Sequence, residues 1–196
     1  MSKTKATGDS VRSYLRDIGR IPLLEHDEEI LLGRKVQRLM EIKSIEDELE
    51  NPDQETLARV LGITSKQLRR ELRDGKRAKD KMVTANLRLV VSVAKKYTKR
   101  NMELLDIIQE GTIGLVRGVE KFDPGRGYKF STYAYWWIRQ GITRAIAEKS
   151  RAIRLPIHVT ENLNKIKKAQ RVLSQLNGEM PSVFQLSDHL EISVEE

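Results

Sequence analysis

Residues 128–146 read YKFSTYAYWWIRQGITRAI, and this aromatic stretch decides how the chain is interpreted. It is predicted to form a helix that Ser131 caps and that continues to about Ser150. Positions three, four and seven apart share one broad face of such a helix, and here they are Tyr133, Trp136, Trp137, Gln140, Thr143 and Arg144. Aromatic stripes usually belong to a core, but glutamine, threonine and arginine beside the rings would each need a buried polar partner. Rings beside basic groups instead suit a nucleic-acid strand, whose bases stack on them for about 1–3 kcal/mol each.

The rest of the chain also has a helical pattern, with only five prolines. A first helix is predicted from the N-cap Asp9, and a second begins near Asp27 and continues into the mid-forties. The valine-rich run 82–97 is predicted to be helical because its apolar residues follow a helical period better than a strand period. Residues 104–122 are predicted to form the helix before the aromatic one. The predicted fold class is therefore all-α.

The positive charge of the chain is concentrated in its central third. The whole sequence has 36 basic and 28 acidic residues, a net charge of +8. Residues 85–154 alone carry 14 basic and 6 acidic residues, which equals the whole surplus. Seven of the ten aromatic residues lie in the same part of the chain, between residues 122 and 137. This distribution is typical of a surface that binds a polyanion.

Several classes of function are excluded by composition. The sequence has no cysteine, so disulfides, cysteine-bound zinc, iron–sulfur clusters and thiol catalysis are excluded. Its three histidines, His26, His158 and His189, are far apart in sequence, which argues against a histidine-based metal site. No apolar run approaches the roughly 18 residues of a membrane span, and no signal peptide begins the chain. The sequence therefore predicts a cytoplasmic protein with no cofactor and no membrane partner. It also contains no Walker loop, metal cluster or catalytic triad, so no enzymatic activity is predicted.

A weak internal repeat links two distant segments. Residues 52–64 read PDQETLARVLGIT and residues 181–193 read PSVFQLSDHLEIS, with matching proline, leucine and isoleucine positions at an offset of 129 residues. Both segments are predicted to form the first helix and turn of a helix-turn-helix-like unit. The first copy continues into a second helix, SKQLRREL, whereas the second copy ends before such a helix is complete.

Residues 106–146, which read DIIQEGTIGLVRGVEKFDPGRGYKFSTYAYWWIRQGITRAI, resemble the most characteristic stretch of primary-type bacterial sigma factors. These are the housekeeping-like factors, of group 1 or 2, that direct RNA polymerase to promoters. Residues 9–24 and 85–97 resemble the segments that precede this stretch, and residues 151–166 resemble the start of the third sigma region. The resemblance implies a helical sigma domain 2 with its preceding helices, followed by a partial three-helix sigma domain 3. It also implies a chain truncated within the third region.

The resemblance predicts how the chain is divided. Residues 1–8 are expected to be a flexible N-terminal tail. Residues 9–152 are expected to form the domain that binds core polymerase and the minus-ten element, with a variable helical insertion at about 41–78 that serves as scaffold. Residues 153–196 are expected to be the partial third domain.

The resemblance also implies roles for residues that would recognise and melt the minus-ten element. Tyr133 would stack on a flipped adenine of the non-template strand, and Trp136 and Trp137 would form the wedge that replaces that base. Gln140 and Thr143 would recognise the last paired position. The remaining implied contacts are Lys129, Phe130 and Thr132 at the adenine pocket, Arg144 at the backbone, and Asn86 and Leu89 at the pocket for a flipped thymine.

Further contacts are implied outside the aromatic helix. The discriminator-binding residues would be Tyr14, Leu15 and Arg16, and the extended minus-ten contacts would be His158 and Glu161. The contacts with core RNA polymerase, through the coiled coil of its largest subunit, would be Asp106, Gln109, Glu110 and Thr112. Promoter DNA is the second implied partner, and anti-sigma factors or activators are further candidates. Without nucleotide hydrolysis, melting would have to come from tighter binding of the open state than of the closed one.

Two other classes of function are also considered. One is a self-sufficient helix-turn-helix regulator, which would bind duplex operator tightly in the absence of polymerase, whereas a sigma factor fragment would prefer single-stranded minus-ten DNA. The other is a nucleic-acid enzyme, which is disfavoured because no paired carboxylates or metal-ligand spacing accompany the aromatic helix. Nuclease or deaminase turnover would distinguish this second alternative.

Overall fold

The structure is a computed structural model that describes residues 3–50, 52–98 and 100–193, with side chains described from Asp9 onward. Within these ranges every regular element is helical and no strand occurs, which confirms the predicted all-α fold. The helices are α1 (Lys3–Gly19), α2 (His26–Glu48), α3 (Gln54–Val60), α4 (Ser65–Ala85), α5 (Leu87–Ala94), α6 (Leu104–Glu120), α7 (Phe130–Lys149), α8 (Ile157–Asn177) and α9 (Val183–Leu190). Short 3₁₀ turns occupy Lys95–Tyr97 and Pro124–Arg126.

The chain forms two compact units, residues 1–146 and residues 147–196. The main core of the first unit contains buried side chains from α2, α4, α5, α6 and α7. Helix α7 contributes Phe130, Ile138 and Ile142, which are completely buried. Because these side chains occupy the inner face of α7, its aromatic and polar residues are left on the opposite face.

A second, smaller core joins the end of α2 to α3 and α4. Its buried members are Ile42, Leu57, Ala58 and Leu68. An ion pair between Arg38 Nε on α2 and a carboxylate oxygen of Glu71 on α4, 2.8 Å apart, links the same helices at the surface. Helices α2, α3 and α4 therefore pack against one another, although a turn separates each helix from the next.

The internal repeat forms the same turn in both copies. In the first copy, Gly62 has φ +65° and the Ile63 backbone N–H donates to the Ala58 carbonyl at 3.0 Å. In the second, Glu191 has φ +54° and the backbone N–H of Ile192 makes the equivalent bond to Ser187, at 3.3 Å. A left-handed residue therefore ends the helix in each case, and only the first copy uses glycine, for which this conformation has no steric cost.

Two helices begin earlier than predicted. Helix α1 begins at Lys3 and not after Asp9, so residues 3–8 of the expected tail are helical; Met1 and Ser2 lie outside the described residues. No proline precedes Asp9, and an aspartate inside a helix costs only about half a kcal/mol or slightly more.

Helix α7 begins at Phe130, so the predicted cap Ser131 is already inside the helix. The reason lies in α2, where a carboxylate oxygen of Glu29 accepts a hydrogen bond from the Phe130 backbone N–H at 3.3 Å. The Glu29 carboxylate, more than a hundred positions earlier in the sequence, therefore accepts the first backbone N–H of α7, so a local N-cap residue is not needed.

The valine-rich segment is helical, as predicted, but it is interrupted at Asn86. The Asn86 backbone lies at φ −104° and ψ 7°, outside the helical region, and separates α4 from α5. Its side-chain amide donates to the Met82 carbonyl at 2.8 Å, so the side chain bonds a carbonyl at the end of α4. On either side of this interruption, α4 and α5 both pack against α6.

Helices α6 and α7 meet backbone to backbone through glycines. A Cβ atom on Gly114 would overlap the carbonyl oxygen of Trp137, and one on Gly141 would lie 2.7 Å from the Glu110 carbonyl oxygen. Gly118 is also close, since its Cβ would lie 3.2 Å from the Trp137 ring. Only glycine allows this approach, which holds the outer surfaces of the two helices in a fixed relation.

Gly114→Ala is therefore expected to lower the free energy of unfolding by about 2 kcal/mol. Overpacking against a backbone atom that has no room to move destabilises the folded state by up to about 3 kcal/mol. The better helix propensity of alanine offsets about 1 kcal/mol of this loss. Urea unfolding followed by circular dichroism measures the difference. Gly19→Ala is the matched control because a Cβ there would meet nothing within 4 Å. Equal midpoints for the two variants would contradict the close contact.

Candidate nucleic-acid interface

The outer face of α7 forms an open groove of about 570 Å³. It is lined by Tyr133, Trp136, Trp137, Arg139, Gln140 and Thr143. Trp136 is the most prominent ring, with 61% of its surface exposed. The structure thus brings together five of the residues that the sequence predicted to contact DNA. It adds Arg139, which the predictions omitted although it lies three residues after Trp136.

Neighbouring rings hold the tyrosine of this groove in place. The Tyr133 ring is half-buried, 6.1 Å from the Phe122 ring and 6.2 Å from the Trp137 ring between centroids. Its hydroxyl donates to the backbone carbonyl of Lys121 at 3.1 Å. One face of the ring system is therefore supported by the protein, so little side-chain freedom remains to be lost when a base stacks on it.

A cation lies over each of three surface rings. Lys121 Nζ is 5.0 Å from the centroid of Trp137, and the Arg139 guanidinium carbon is 5.6 Å from that of Trp136. Lys96 Nζ is 5.7 Å from the Tyr135 ring, which packs edge-on against Trp136. These pairs place positive charge directly beside stacking surfaces, an arrangement that suits bases and their phosphates at the same time.

At the polar end of the groove, only some of the side-chain hydrogen-bonding groups are used within the protein. Thr143 donates its hydroxyl hydrogen to the Arg139 carbonyl at 2.9 Å, so its oxygen remains an acceptor. Gln140 is exposed one turn before the end of the groove. An amide with both donor and acceptor atoms and a hydroxyl acceptor are groups that recognise base edges.

Phe130, which the resemblance places at the adenine pocket, lies beneath the groove and not in its lining. It is completely buried and its ring packs edge-on against Phe122 at 5.0 Å. Because Phe122 in turn supports Tyr133, Phe130 acts from beneath the groove. Lys129 and Thr132 are exposed at the start of α7, and Arg144 is exposed near its end, outside the groove lining.

The residues predicted for the thymine pocket and the discriminator lie on other helices. Asn86 and Leu89 are half-buried at the junction of α4 and α5 and do not line the groove. On α1, Tyr14 packs against the main core and burial raises the pKa of its phenol, whereas Leu15 and Arg16 are exposed.

An exposed stripe runs along α6. Its members are Asp106, Gln109, Ile113 and Arg117. Of the other predicted polymerase contacts, Glu110 is half-buried at the edge of the stripe, and Thr112 donates its hydroxyl to the Ile108 carbonyl of its own helix at 2.9 Å. Ile113 was missed by the sequence analysis, yet it is 52% exposed in the middle of the stripe. An apolar side chain surrounded by polar ones is typical of a protein-binding surface.

In the second unit, His158 and Glu161 are exposed on the first turns of α8. They are three residues apart and so share one face of the helix. The last residues of the predicted third domain, 194–196, lie outside the described residues.

Two segments of the chain match known families: residues 9–42 match Sigma-70 factor, region 1.2, and residues 82–152 match Sigma-70 region 2. RNA polymerase sigma factor SigA2 of Synechococcus elongatus is 56% identical over 200 residues, which cover 100% of this chain and 62% of that protein. RNA polymerase sigma-B factor of a Nostoc species is 53% identical over 191 residues, which cover 95% of this chain and 58% of that protein. SigA of the same Nostoc strain is 48% identical over 198 residues, covering 98% of this chain and 51% of that protein.

The chain belongs to the sigma-70 family.

This membership confirms the predicted resemblance, and the chain spans 51–62% of the length of these relatives. The region 2 match contains α5, α6 and α7, and therefore both the groove and the exposed stripe of α6. The region 1.2 match contains α1 from Asp9 and most of α2. Residues 43–81, between the two matches, contain α3 and most of α4.

Neither a metal site nor a membrane span is found among the residues that the structure describes. No group of three or more histidine, aspartate or glutamate side chains is placed to hold a metal ion. Within the same ranges, no helix is both long enough and apolar enough to cross a bilayer.

The turn that joins α6 to α7 in this sigma-70 chain depends on Asp123. A carboxylate oxygen of Asp123 accepts the Gly125 backbone N–H at 2.9 Å, and the other oxygen bonds Arg126 Nε at 3.2 Å. The Gly125 bond, followed by Arg126, holds the pKa of Asp123 below its ordinary value of 3.8. The stabilisation that the ionised Asp123 carboxylate provides is therefore complete above its ordinary pKa and is lost as the pH falls through the lowered pKa.

Asp123→Asn should thus destabilise the protein near neutral pH and have a smaller effect in acid. Asparagine keeps an oxygen for the Gly125 bond but lacks the charge that pairs with Arg126. Urea midpoints for the two proteins, measured from pH 7 down to pH 3, should converge as the pH falls. A difference that stays constant over this range would contradict the assignment.

Proposed function

We propose that this chain is the part of an RNA polymerase sigma factor that binds core polymerase and recognises and melts the minus-ten promoter element. The observation that carries the proposal is the groove on α7, where two tryptophans and a tyrosine lie beside an exposed glutamine and threonine. Such a combination suits DNA that is single-stranded at one end of the site and paired at the other.

The energy for melting comes from binding. Extruding one base from a duplex costs a few kcal/mol, and stacking on an aromatic side chain contributes about 1–3 kcal/mol per base. Tyr133 receives a flipped adenine of the non-template strand, while Trp136 and Trp137 occupy the space that the base leaves. Because the Tyr133 ring is already held by Phe122 and the Lys121 carbonyl, the open state is stabilised with little further ordering.

The paired end of the element meets the polar end of the groove. Gln140 and Thr143 recognise the last base pair, and Arg144 contacts the phosphate backbone. Arg139 joins this set, since its guanidinium group already lies over Trp136 and adds positive charge beside the strand. Lys129 and Thr132, exposed at the start of α7, contact the same strand next to Tyr133.

Other contacts extend along the promoter. A flipped thymine is held near Asn86 and Leu89, and the discriminator contacts Leu15 and Arg16 with Tyr14 as their partly buried support. In the second unit, His158 and Glu161 contact an extended minus-ten motif. These assignments rest on the family resemblance. Exposure also supports those of Leu15, Arg16, His158 and Glu161.

Core polymerase binds along α6. Asp106 and Gln109 provide an acid and an amide for a basic coiled coil of the largest subunit, with Glu110 at the edge of the surface. Ile113 supplies the apolar contact in its centre, which is where the energetically dominant residues of interfaces tend to lie. Because α6 and α7 touch through Gly114 and Gly141, docking of α6 on polymerase also sets the direction in which the α7 groove faces.

Tyr133→Ala should weaken binding of a single-stranded TATAAT oligonucleotide by about 1–3 kcal/mol, because a stacking surface is lost. Tyr133→Phe should keep most of the affinity, since the ring remains and only the hydrogen bond to Lys121 is removed. Fluorescence anisotropy measures both. The matched control is Phe184→Ala, which removes an aromatic ring that is 72% exposed on α9. If Tyr133→Ala binds as tightly as this control, the base-capture role is wrong.

Asp106→Lys should weaken the association with core RNA polymerase at least about tenfold, because it places like charges opposite each other at an interface. Asp80→Lys makes the same charge change at an exposed position of α4 and serves as the control. Competition with a labelled sigma factor for core polymerase gives the affinities, and far-UV circular dichroism checks that both variants stay helical. Equal affinities would remove the α6 surface from the proposal.

A further inference from the structure

A second basic surface lies on α4, in the segment between the two family matches. It consists of six exposed side chains, Lys66, Arg69, Arg70, Arg73, Lys76 and Arg77, which we call the α4 basic face. Their spacing of three or four residues places them on one side of the helix. From residue 66 to residue 77 the face is roughly 17 Å long, at about 1.5 Å per residue. None of these side chains has a role in the function proposed above.

Little negative charge neutralises this face. Glu71 is bound to Arg38 of α2, and Asp74 lies 3.7 Å from Arg70 and 3.9 Å from Arg73. Among the described residues, no carboxylate lies within ion-pairing distance of Lys66, Lys76 or Arg77. The face therefore keeps a large positive surplus, which favours a polyanionic partner.

The helix that carries this face is the second helix of a helix-turn-helix-like unit. Helix α3 has seven residues, Gly62 provides the left-handed turn, and Thr64 is the N-cap of α4. The small core around Leu57 and Leu68 holds α3 and α4 together against α2. In such motifs the beginning of the second helix enters the major groove while the first crosses the backbone. Lys66, Arg69 and Arg73 lie in that first part of α4.

The cap of α4 limits what this surface can recognise. Thr64 Oγ1 accepts the Gln67 backbone N–H at 3.2 Å, and Gln67 Oε1 accepts the Thr64 backbone N–H at 3.0 Å. The side chains of Thr64 and Gln67 are therefore used to cap the helix, and Ser65, the other uncharged polar residue of this turn, is half-buried. The exposed groups that remain for DNA are flexible cations, and these contact phosphates without regard to sequence.

From this arrangement we propose that the α4 basic face binds the phosphate backbone of duplex DNA, as a second DNA-binding surface separate from the α7 groove. Duplex DNA fits better than an acidic protein because the cations form a regular row on a helix-turn-helix. The binding is independent of sequence and strongly dependent on salt, because each neutralised phosphate releases condensed counterions.

The test uses the full chain with the triple substitution Lys66→Gln, Arg69→Gln and Arg73→Gln. The probes are two labelled 20-base-pair duplexes of unrelated sequence without a minus-ten element, and a single-stranded TATAAT oligonucleotide. The triple variant should bind both duplexes about tenfold more weakly, and the slope of log affinity against log salt should fall by about 2–3. Its affinity for the single strand should change far less, because the α7 groove is intact.

A charge-matched control carries Lys165→Gln, Lys167→Gln and Lys168→Gln, three exposed positions on α8. This control should keep most of the duplex affinity and most of the salt slope. The proposal is overturned if the control loses as much duplex affinity as the α4 variant, or if the α4 variant loses none, as expected for a face that binds an acidic protein. A loss confined to one of the two duplexes would contradict backbone binding. Failure of single-strand binding in the unsubstituted chain would count against the α7 groove alone, which keeps the two proposals distinguishable.

Discussion

The contact between α6 and α7 through Gly114 and Gly141 is the constraint on which the rest of the first unit depends. At this crossing the Trp137 carbonyl occupies the space that any side chain on Gly114 would need. Backbone contact of this kind allows almost no sliding, so the two helices behave as one rigid piece. The inner faces of both helices enter the main core, and their outer faces carry the polar stripe and the aromatic groove. The surface proposed to bind polymerase and the surface proposed to bind DNA are thus held next to each other.

Contacts within the protein hold the rings of the groove that is proposed to bind bases. Phe130 supports Phe122, which supports Tyr133, and cations lie over Trp136 and Trp137. A ring that is held on one side and exposed on the other loses little entropy when a base stacks on it. Tighter binding of the open strand than of the duplex is sufficient to shift the equilibrium toward melting. In the proposed function the chain therefore needs no chemical energy source of its own.

Helical periodicity was sufficient to predict the all-α fold and to place five of the groove residues on one face of α7. What could not be predicted depends on contacts between distant residues. The start of α7 is determined by the Glu29 carboxylate of α2, which a local capping rule does not include. The burial of Phe130 and the exposure of Ile113 depend on how whole helices pack against each other. The identity of the two residues alone does not determine which of them is buried. Arg139 could have been found from its spacing to Trp136.

The central claim is that the α7 groove recognises the minus-ten element as a single strand. Fluorescence anisotropy of the chain with three probes tests it directly: single-stranded TATAAT, a scrambled single strand of the same composition, and duplex TATAAT. A titration in the presence of core RNA polymerase repeats the comparison in the assembled state. The account predicts that the TATAAT single strand binds more tightly than both other probes under both conditions. Equal affinity for the scrambled strand, or tighter binding of the duplex by a chain whose α4 basic face carries the triple substitution, would contradict it.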